Sequence, residues 1–279
     1  MIEPMRIPDP LKQAFAVVAT AASPQCRFDR ALFVLGHMRC GSTALSRVLG
    51  NHPEISGQGE AHIAYRGRAA LGQLLLAQMR RRSWKPGTRY LHDKVLHNRY
   101  DAAVPAGFAR ARAVFLLREP VPTIRSIRHL FRTIGSSEYA NDALAADYYA
   151  ERLDQLARLW RMFPAQGRIG IDFAELTAGP EAVLARLSGF LGLQTPLVNA
   201  YGPAGPERHG MGDPLTSPRF SAIVGPGKTA PGQSDDGLPA LPQRRIAELE
   251  LAHYRVRQLI CGDPAGSGDQ RAKDSSQAR

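Results

Sequence analysis

Residues 31–49, ALFVLGHMRCGSTALSRVL, place an apolar run, a glycine-rich turn and a helical pattern directly one after another. In a strand that continues through a tight loop into a helix, the main-chain N–H groups of the loop and of the first helical turn point at the same place. Together these groups form an anion site. The glycine spacing is that of nucleotide phosphate loops, but such loops have lysine directly after the second glycine. Here Gly41 is followed by Ser42, and the cation of the loop is Arg39. The sequence therefore predicts a phosphate site that reserves no place for the usual lysine and magnesium ion.

Strand patterns alternate with helix patterns along the rest of the chain. Short strands are predicted at 89–94, 112–117 and 168–172. Helices are predicted from apolar spacing, from prolines in a first turn or from a terminating glycine, over 66–82, 120–131, 143–163 and 180–192. This alternation indicates an α/β fold, in which a central parallel sheet of the phosphate-loop type is flanked by helices.

The chain is predicted to hold one domain, residues 28–262, after an N-terminal lead-in of residues 1–27. The lead-in contains the short apolar stretch AFAVVATAA, which we expect to form a helix that lies on the domain. Gly, Pro, Ser and Asp dominate residues 202–240, which predicts a flexible C-terminal flap over a binding site. Residues 263–279 have the composition of a disordered tail.

Composition limits the compartment and the partners. Three scattered cysteines favour a reducing compartment over a disulfide scaffold or a metal cluster. No apolar stretch reaches the roughly 18 residues that cross a bilayer, so we expect no transmembrane segment and a cytoplasmic location. The 36 Lys and Arg against 25 Asp and Glu give a formal charge of +11, which favours anionic partners. Nucleic acid is not the expected one, because the arginines are dispersed and the chain lacks zinc-ligand spacing and RNP-like aromatic motifs.

A second candidate phosphate site lies in AVFLLREPVPTIRSI, residues 113–127. A predicted strand ends at Arg118, and Ser126 follows eight residues later inside the predicted helix. An arginine at the carboxyl end of a strand and a hydroxyl two turns into the next helix can hold one phosphate from two sides. Taken alone, Arg118 could equally be the structural ion-pair partner of a nearby acid.

The segment GHMRCGSTALSRVLGNHPEI resembles the 5′-phosphosulfate loop of sulfotransferases that use 3′-phosphoadenosine-5′-phosphosulfate (PAPS). That family typically has Gly-x-x-Arg-Ser-Gly-Thr-Thr, and here Cys40 and Ser42 stand where serine and threonine are commoner. The strand-Arg-Glu-Pro-Val opening and the Arg-x7-Ser pair resemble the family's site for the 3′-phosphate. A third block, GIDFAELTAGPEAVLARLSGFLGL, resembles a strand, turn and helix of its fold. The resemblance covers roughly residues 30–193.

The resemblance implies an enzyme that moves the sulfuryl group of PAPS to a hydroxyl by direct, metal-free transfer, leaving adenosine 3′,5′-bisphosphate. The implied acceptor is a carbohydrate, a lipid or another small natural product, since the motifs are nearer the carbohydrate and tyrosyl-protein type than the cytosolic small-molecule type. Cys40 is not expected to be a nucleophile, because direct transfer needs no covalent intermediate. The implied cofactor-binding residues are Arg39, Cys40, Gly41, Ser42, Thr43, Arg118 and Ser126.

Three residues are candidates for the transfer chemistry itself. Glu60, in SGQGEAHI, resembles the glutamate that faces the acceptor in tyrosyl-protein and carbohydrate sulfotransferases, and is the first candidate for the base. His97 is the alternative base, although it lies three residues after Lys94 where the family spacing is typically two. Lys94 resembles the lysine that contacts the bridging oxygen of the leaving group. His62 and His92 are interpreted as structural.

Two other functions remain open at this point. The first is a kinase or nucleotide hydrolase on a similar fold, which would require magnesium. The second is a non-catalytic nucleotide-binding or nucleic-acid-binding module, which would keep the phosphate sites and tolerate loss of the three catalytic candidates. In the predicted flap, His209, Arg219 and Lys228 could contact the 3′-phosphate or the acceptor.

Overall fold

The computed structural model of the chain describes residues 9–202, 220–225 and 239–262. Within these residues a five-stranded sheet has the order β2-β3-β1-β4-β5, and every pair of neighbouring strands is parallel. The strands are β1 (Ala31–Gly36), β2 (Ile55–Ser56), β3 (Tyr90–Val95), β4 (Arg112–Leu117) and β5 (Arg168–Asp172). The α/β fold with a parallel central sheet, predicted from the alternation of strands and helices, is confirmed.

The described α-helices cover both faces of this sheet. They are α1 (Asp9–Ala22), α2 (Ser42–Asn51), α3 (Ala69–Arg80), α4 (Asn98–Asp101), α5 (Pro120–Thr133), α6 (Asp142–Met162), α7 (Phe173–Ala178), α8 (Pro180–Leu191) and α9 (Gln243–Cys261). None of the helices in the described part of the chain is both long and apolar enough to cross a membrane.

The apolar run of β1 is continuous because helices bury both of its faces. Phe33 and Leu35 lie in the core on the side of α3, α5, α6 and α9. Leu32 and Val34 point the other way, into the core on the side of α2 and α8. The alternation of side chains along a strand thus assigns each residue of β1 to one of two cores.

Local signals set several boundaries where the sequence predicts them. Helices α5 and α8 begin with proline in the first turn, and α8 ends at Gly192, whose φ is +60°. Strands β4 and β5 have the predicted bounds, whereas β3 lies one residue further on than predicted. The predicted turn after β5 is instead the short helix α7, which the side chain of Asp172 caps by accepting from Ala174 N at 2.8 Å.

The described elements α4, β2 and α9 were not predicted. The two-residue strand β2 is too short to have a periodicity. In α9 only four of 19 residues are buried, so its apolar stripe is weak. Helix α9 packs on β5 because Gly170 leaves room for it, and a Cβ at Gly170 would overlap the main chain of Ile260. In the lead-in, α1 packs against α3 where Gly72 gives similar room.

One buried guanidinium joins the carboxyl ends of two strands to α6. Arg152, which is 0% exposed, donates from Nε to Gly36 O at 2.8 Å and from an NH2 group to Val95 O at 2.8 Å. Its remaining NH2 group donates to Asp101 Oδ1, also at 2.8 Å. A buried charge is tolerated when it is paired and hydrogen-bonded in this way. Arg152 therefore fixes the ends of β1 and β3 relative to each other.

We expect Arg152→Met to lower the free energy of unfolding by about 3–5 kcal/mol, because it leaves the Asp101 carboxylate buried without its charge partner. The measurement is urea denaturation followed by circular dichroism. The matched control is Arg245→Met, which removes a largely solvent-accessible pair with Asp147 and is expected to change stability by less than about 1 kcal/mol. Equal losses in the two variants would contradict the structural role of Arg152.

Candidate active site

The glycine loop lies at the place in the sheet where ligands of α/β proteins bind. Residues 36–41 leave the carboxyl end of β1, and α2 starts at Ser42. Strand β1 is between β3 and β4, so the strand order reverses there, and a crevice forms outside the strand ends at such a switch point. The predicted strand, loop and helix therefore take up the expected arrangement.

Both glycines of the loop are required by close packing. A Cβ at Gly36 would lie 2.8 Å from Cys40 Sγ and 2.9 Å from Leu116 O. Gly41 has φ +88°, and a Cβ there would lie 2.8 Å from the ring of Phe173. Arg39 also has a positive φ, +65°, which is unfavourable for a residue with a side chain. The surrounding structure has to hold the loop in this conformation.

Side chains of helix α6 stabilise the loop in this conformation. Tyr148 OH accepts a hydrogen bond from Met38 N at 2.7 Å and donates one to Leu96 O at 2.7 Å. Arg152, one turn later on the same face, bonds to Gly36 O. Two side chains of α6 thus contact the loop at its first and third residues.

The predicted phosphate-binding residues of the two motifs meet in the folded chain. Arg39 Nε donates to Ser126 Oγ at 2.8 Å, and Arg118 donates from an NH2 group to Arg39 O at 2.9 Å. The Arg118 guanidinium also stacks on the ring of Phe173, with its carbon 4.3 Å from the ring centre. Burial, and secondarily the charge of Arg39, lowers the pKa of Arg118. Two cations held together in this way favour an anion between them.

Lys94 brings a third cation to the first turn of α2. It lies on β3 and is 3% exposed, and its Nζ donates to Thr43 Oγ1 at 3.0 Å. Ser42 is buried beside it. The side chain of Cys40 points into the core, and burial raises the pKa of its thiol, so only its main chain faces the crevice side of the loop. A protonated, buried thiol is a poor nucleophile.

The segment that carries Glu60 is attached to β3 on both sides of that residue. Lys94 N donates to Gly59 O at 3.4 Å, and Ala61 N donates to Asp93 Oδ1 at 2.8 Å. Glu60 is 8% exposed, and its Oε1 has no hydrogen-bond partner among the described residues. A buried carboxylate oxygen without a donor is costly unless a ligand supplies one.

Asp93, which binds Ala61 N, accepts a second hydrogen bond from Tyr65 OH at 2.6 Å. Burial, and to a smaller extent the neighbouring Glu60 carboxylate, raises the pKa of Asp93 to about 7.

The histidines of this region have different surroundings. His97 is 9% exposed and packs against the rings of Tyr100, Tyr139 and Tyr148, and burial lowers its pKa to about 3. A base with so low a pKa is weak near neutral pH. His62 is partly exposed, with Nδ1 3.7 Å from Glu60 Oε1 and 3.1 Å from Tyr100 OH.

His92 is buried between α2 and the sheet. Its Nε2 lies 2.8 Å from Ser46 Oγ and its Nδ1 3.2 Å from Leu32 O, and burial lowers its pKa to about 4. These contacts agree with the structural role predicted for it.

The structure does not describe the candidate residues of the predicted flap. His209, Arg219 and Lys228 fall outside the described part of the chain. Within the described residues no group of three or more His, Cys, Asp or Glu is arranged to hold a metal ion.

Sequence reasoning missed the residues that support the site. Arg152, Tyr148 and Tyr149 lie in the helix predicted over 143–163, to which the sequence assigned no role at the site. An arginine on the apolar face of such a helix is a usable signal, because an arginine is rarely buried without a partner. His37 gave no signal, because its partner Arg118, which follows β4, is 81 residues away along the chain.

The low pKa values of the buried histidines predict weaker folding in acid. Between about pH 4 and 6.5 the unfolded chain binds protons at His92 and His97 that the folded chain does not, so stability falls as the pH falls. Asp93 acts in the opposite direction, because it keeps its proton in the folded chain up to about pH 7. We expect His97→Asn to reduce the slope of unfolding free energy against pH by about 1.4 kcal/mol per pH unit in this window. Urea denaturation at several pH values measures it, and an unchanged slope would contradict a buried neutral His97.

Comparison with known proteins agrees with this geometry. Residues 64–196 match the model of the sulfotransferase family, a stretch that includes Lys94, Arg118 and Ser126 and begins after the glycine loop. No curated protein sequence matches the chain.

Among solved structures, the sulfotransferase domain of the olefin synthase from Synechococcus PCC 7002 is similar with a TM-score of 0.52 and 21% identity, over 79% of this chain and 93% of that one. A sulfotransferase from Alicyclobacillus acidocaldarius has a TM-score of 0.48 and 20% identity, over 84% and 96% of the two chains. Residues 64–196 are therefore similar to the sulfotransferase family, and the described part of the chain has the α/β fold of a sulfotransferase domain.

Proposed function

We propose that this chain is a PAPS-dependent sulfotransferase that transfers a sulfuryl group to a hydroxyl of a carbohydrate, a lipid or another small natural product. The observation that carries the proposal is a pair of buried atoms without hydrogen-bond partners among the described residues, Arg118 Nε and Glu60 Oε1. The first is a donor and the second an acceptor. A phosphate oxygen of the nucleotide would satisfy the donor, and the hydroxyl of the acceptor substrate would satisfy the carboxylate.

The residues on the two sides of the crevice fit a nucleotide with two phosphate positions. Arg118 and Ser126 would hold the 3′-phosphate, since both come from the β4–α5 segment. The loop main chain, Ser42 and Thr43 would hold the 5′-phosphosulfate at the start of α2. Arg39 lies between the two sets through its bonds to Ser126 and Arg118. Bound PAPS would supply the sulfuryl group and the nucleotide leaving group.

Two side chains have chemical roles in the transfer. Glu60 Oε1 would take the proton of the acceptor hydroxyl while the hydroxyl oxygen bonds to sulfur. General base catalysis of this kind raises a reaction rate by about 10²–10⁴-fold. The Lys94 ammonium would stabilise the negative charge that the electron pair of the broken bond from sulfur to oxygen leaves on the phosphate oxygen of the nucleotide. The bond from Lys94 Nζ to Thr43 Oγ1 places this cation at the first turn of α2, where the phosphosulfate would lie.

We assign the base role to Glu60 and not to His97. The Glu60 carboxylate is buried, has an oxygen free of hydrogen bonds and is tied to β3 beside Lys94. The His97 ring packs among three tyrosines, and its pKa of about 3 leaves it little capacity to take a proton.

Calorimetric titration in EDTA tests the nucleotide. Adenosine 3′,5′-bisphosphate is expected to bind more tightly than 5′-AMP or ATP. Arg118→Ala and Ser126→Ala are each expected to weaken its binding by about tenfold or more, because each removes a hydrogen bond to a charged phosphate. The control is Ser136→Ala, at a partly exposed serine that bonds within its own loop. Tighter binding of ATP, or a requirement for magnesium, would favour a kinase instead.

Transfer from PAPS to N-acetylglucosamine, a long-chain alcohol and 4-nitrophenol tests the catalytic roles. On whichever acceptor reacts, Glu60→Gln is expected to lower kcat by about 10²-fold or more while the affinity for adenosine 3′,5′-bisphosphate stays the same. His97→Asn is expected to lower kcat by less than about tenfold. The reverse ranking of the two variants would move the base role to His97.

A further inference from the structure

We propose that His37 is a positioning residue that sets the selectivity for 3′-phosphorylated nucleotides by holding the main chain of Arg118. The proposal rests on the proposed function, in which Arg118 binds the 3′-phosphate. His37 belongs to the glycine loop after β1, whereas Arg118 follows β4, so the contact joins the two candidate phosphate sites.

The hydrogen bonds of His37 define its protonation state. The ring is 0% exposed, and Nε2 lies 3.0 Å from Arg118 N. A main-chain N–H can only donate, so Nε2 accepts, and the ring proton is on Nδ1. That nitrogen lies 2.9 Å from Met38 O, which accepts it. Burial lowers the pKa of His37 to about 3, so this neutral form is present at physiological pH.

Arg118 is held at both of its main-chain polar groups. His37 binds its N–H, and Tyr149 OH donates to its carbonyl oxygen at 2.7 Å. The Tyr149 ring meets the His37 ring edge to face, with centres 4.9 Å apart. The guanidinium is fixed separately by the stack on Phe173 and the bond to Arg39 O.

With both ends fixed, the unpartnered Nε of Arg118 has a defined direction before any ligand binds. Holding a binding group in its bound conformation in advance raises affinity, because less freedom is lost on binding. Of the two proposed phosphate positions, only the 3′ position uses Arg118 as its main ligand. Loss of the His37 contact should therefore lower the affinity for nucleotides that carry a 3′-phosphate and leave the affinity for other nucleotides unchanged.

The test compares adenosine 3′,5′-bisphosphate with 5′-AMP, by calorimetry in EDTA near neutral pH. His37→Phe keeps a ring and removes both hydrogen bonds. It is expected to lower the affinity for the bisphosphate about tenfold, while the affinity for 5′-AMP changes less than about twofold. His37→Gln is expected to restore most of the selectivity, because its amide oxygen can accept the N–H of Arg118.

A second variant removes the other main-chain contact and leaves His37 in place. Tyr149→Phe loses only the hydroxyl, and is expected to produce the same selective loss of bisphosphate affinity. Tyr254→Phe, at a tyrosine that is 58% exposed, is the control and is expected to change neither affinity.

The outcomes separate this inference from the proposed function. If His37→Phe and Tyr149→Phe lower the affinity for both nucleotides equally, His37 has a merely structural role and the inference is overturned. Unchanged affinities in both variants would overturn it as well. If the wild-type chain binds the bisphosphate no better than 5′-AMP, the proposed 3′-phosphate site itself is wrong. If His37→Phe does not fold, Tyr149→Phe and His37→Gln decide the question.

Discussion

The buried cation of Arg152 stabilises the fold only while it binds the strand ends, and this requirement couples the sheet to the site. Its guanidinium donates to Gly36 O and Val95 O, the last residues of β1 and β3, and to the Asp101 carboxylate. Any movement that separated these strand ends would leave donors unsatisfied in the protein interior, at several kcal/mol. Because Tyr148 lies one turn away and bonds to the loop, the same helix that completes the core also shapes the crevice.

The candidate site brings several cationic side chains close together. The guanidinium of Arg118 touches the main chain of Arg39, and Lys94 is buried on the other side of the loop. Like charges at this range repel each other, and the loop backbone at Arg39 is in an unfavourable left-handed conformation. We expect an anionic ligand to relieve this repulsion, so that the fold would hold the site in advance in a shape suited to the ligand.

Sequence reasoning found the parts of the molecule whose signals are local. The glycine loop, the prolines that start α5 and α8 and the buried strands are each encoded within about ten residues. The family resemblance implied that the glycine loop and the segment after β4 bind one nucleotide, but the bond between Arg39 and Ser126 was not predicted. The supports of the site were not found, because His37 and Arg118, or Tyr149 and Arg118, are brought together only by the strand order. Helix α9 was missed because it is buried along a narrow stripe, with charged residues on its other faces.

The strand order also has a consequence for how the chain reaches this structure. Strand β1 is made first and occupies the middle of the sheet, but its neighbours are β3 and β4, which begin at Tyr90 and Arg112. Both edges of an apolar strand thus stay open during synthesis until some 60 to 80 further residues have been added. Sheets closed by such long-range pairing fold slowly and expose aggregation-prone edges on the way. Helix α2, which follows β1 directly in the chain, can cover one apolar face of the strand during that interval, but not its edges.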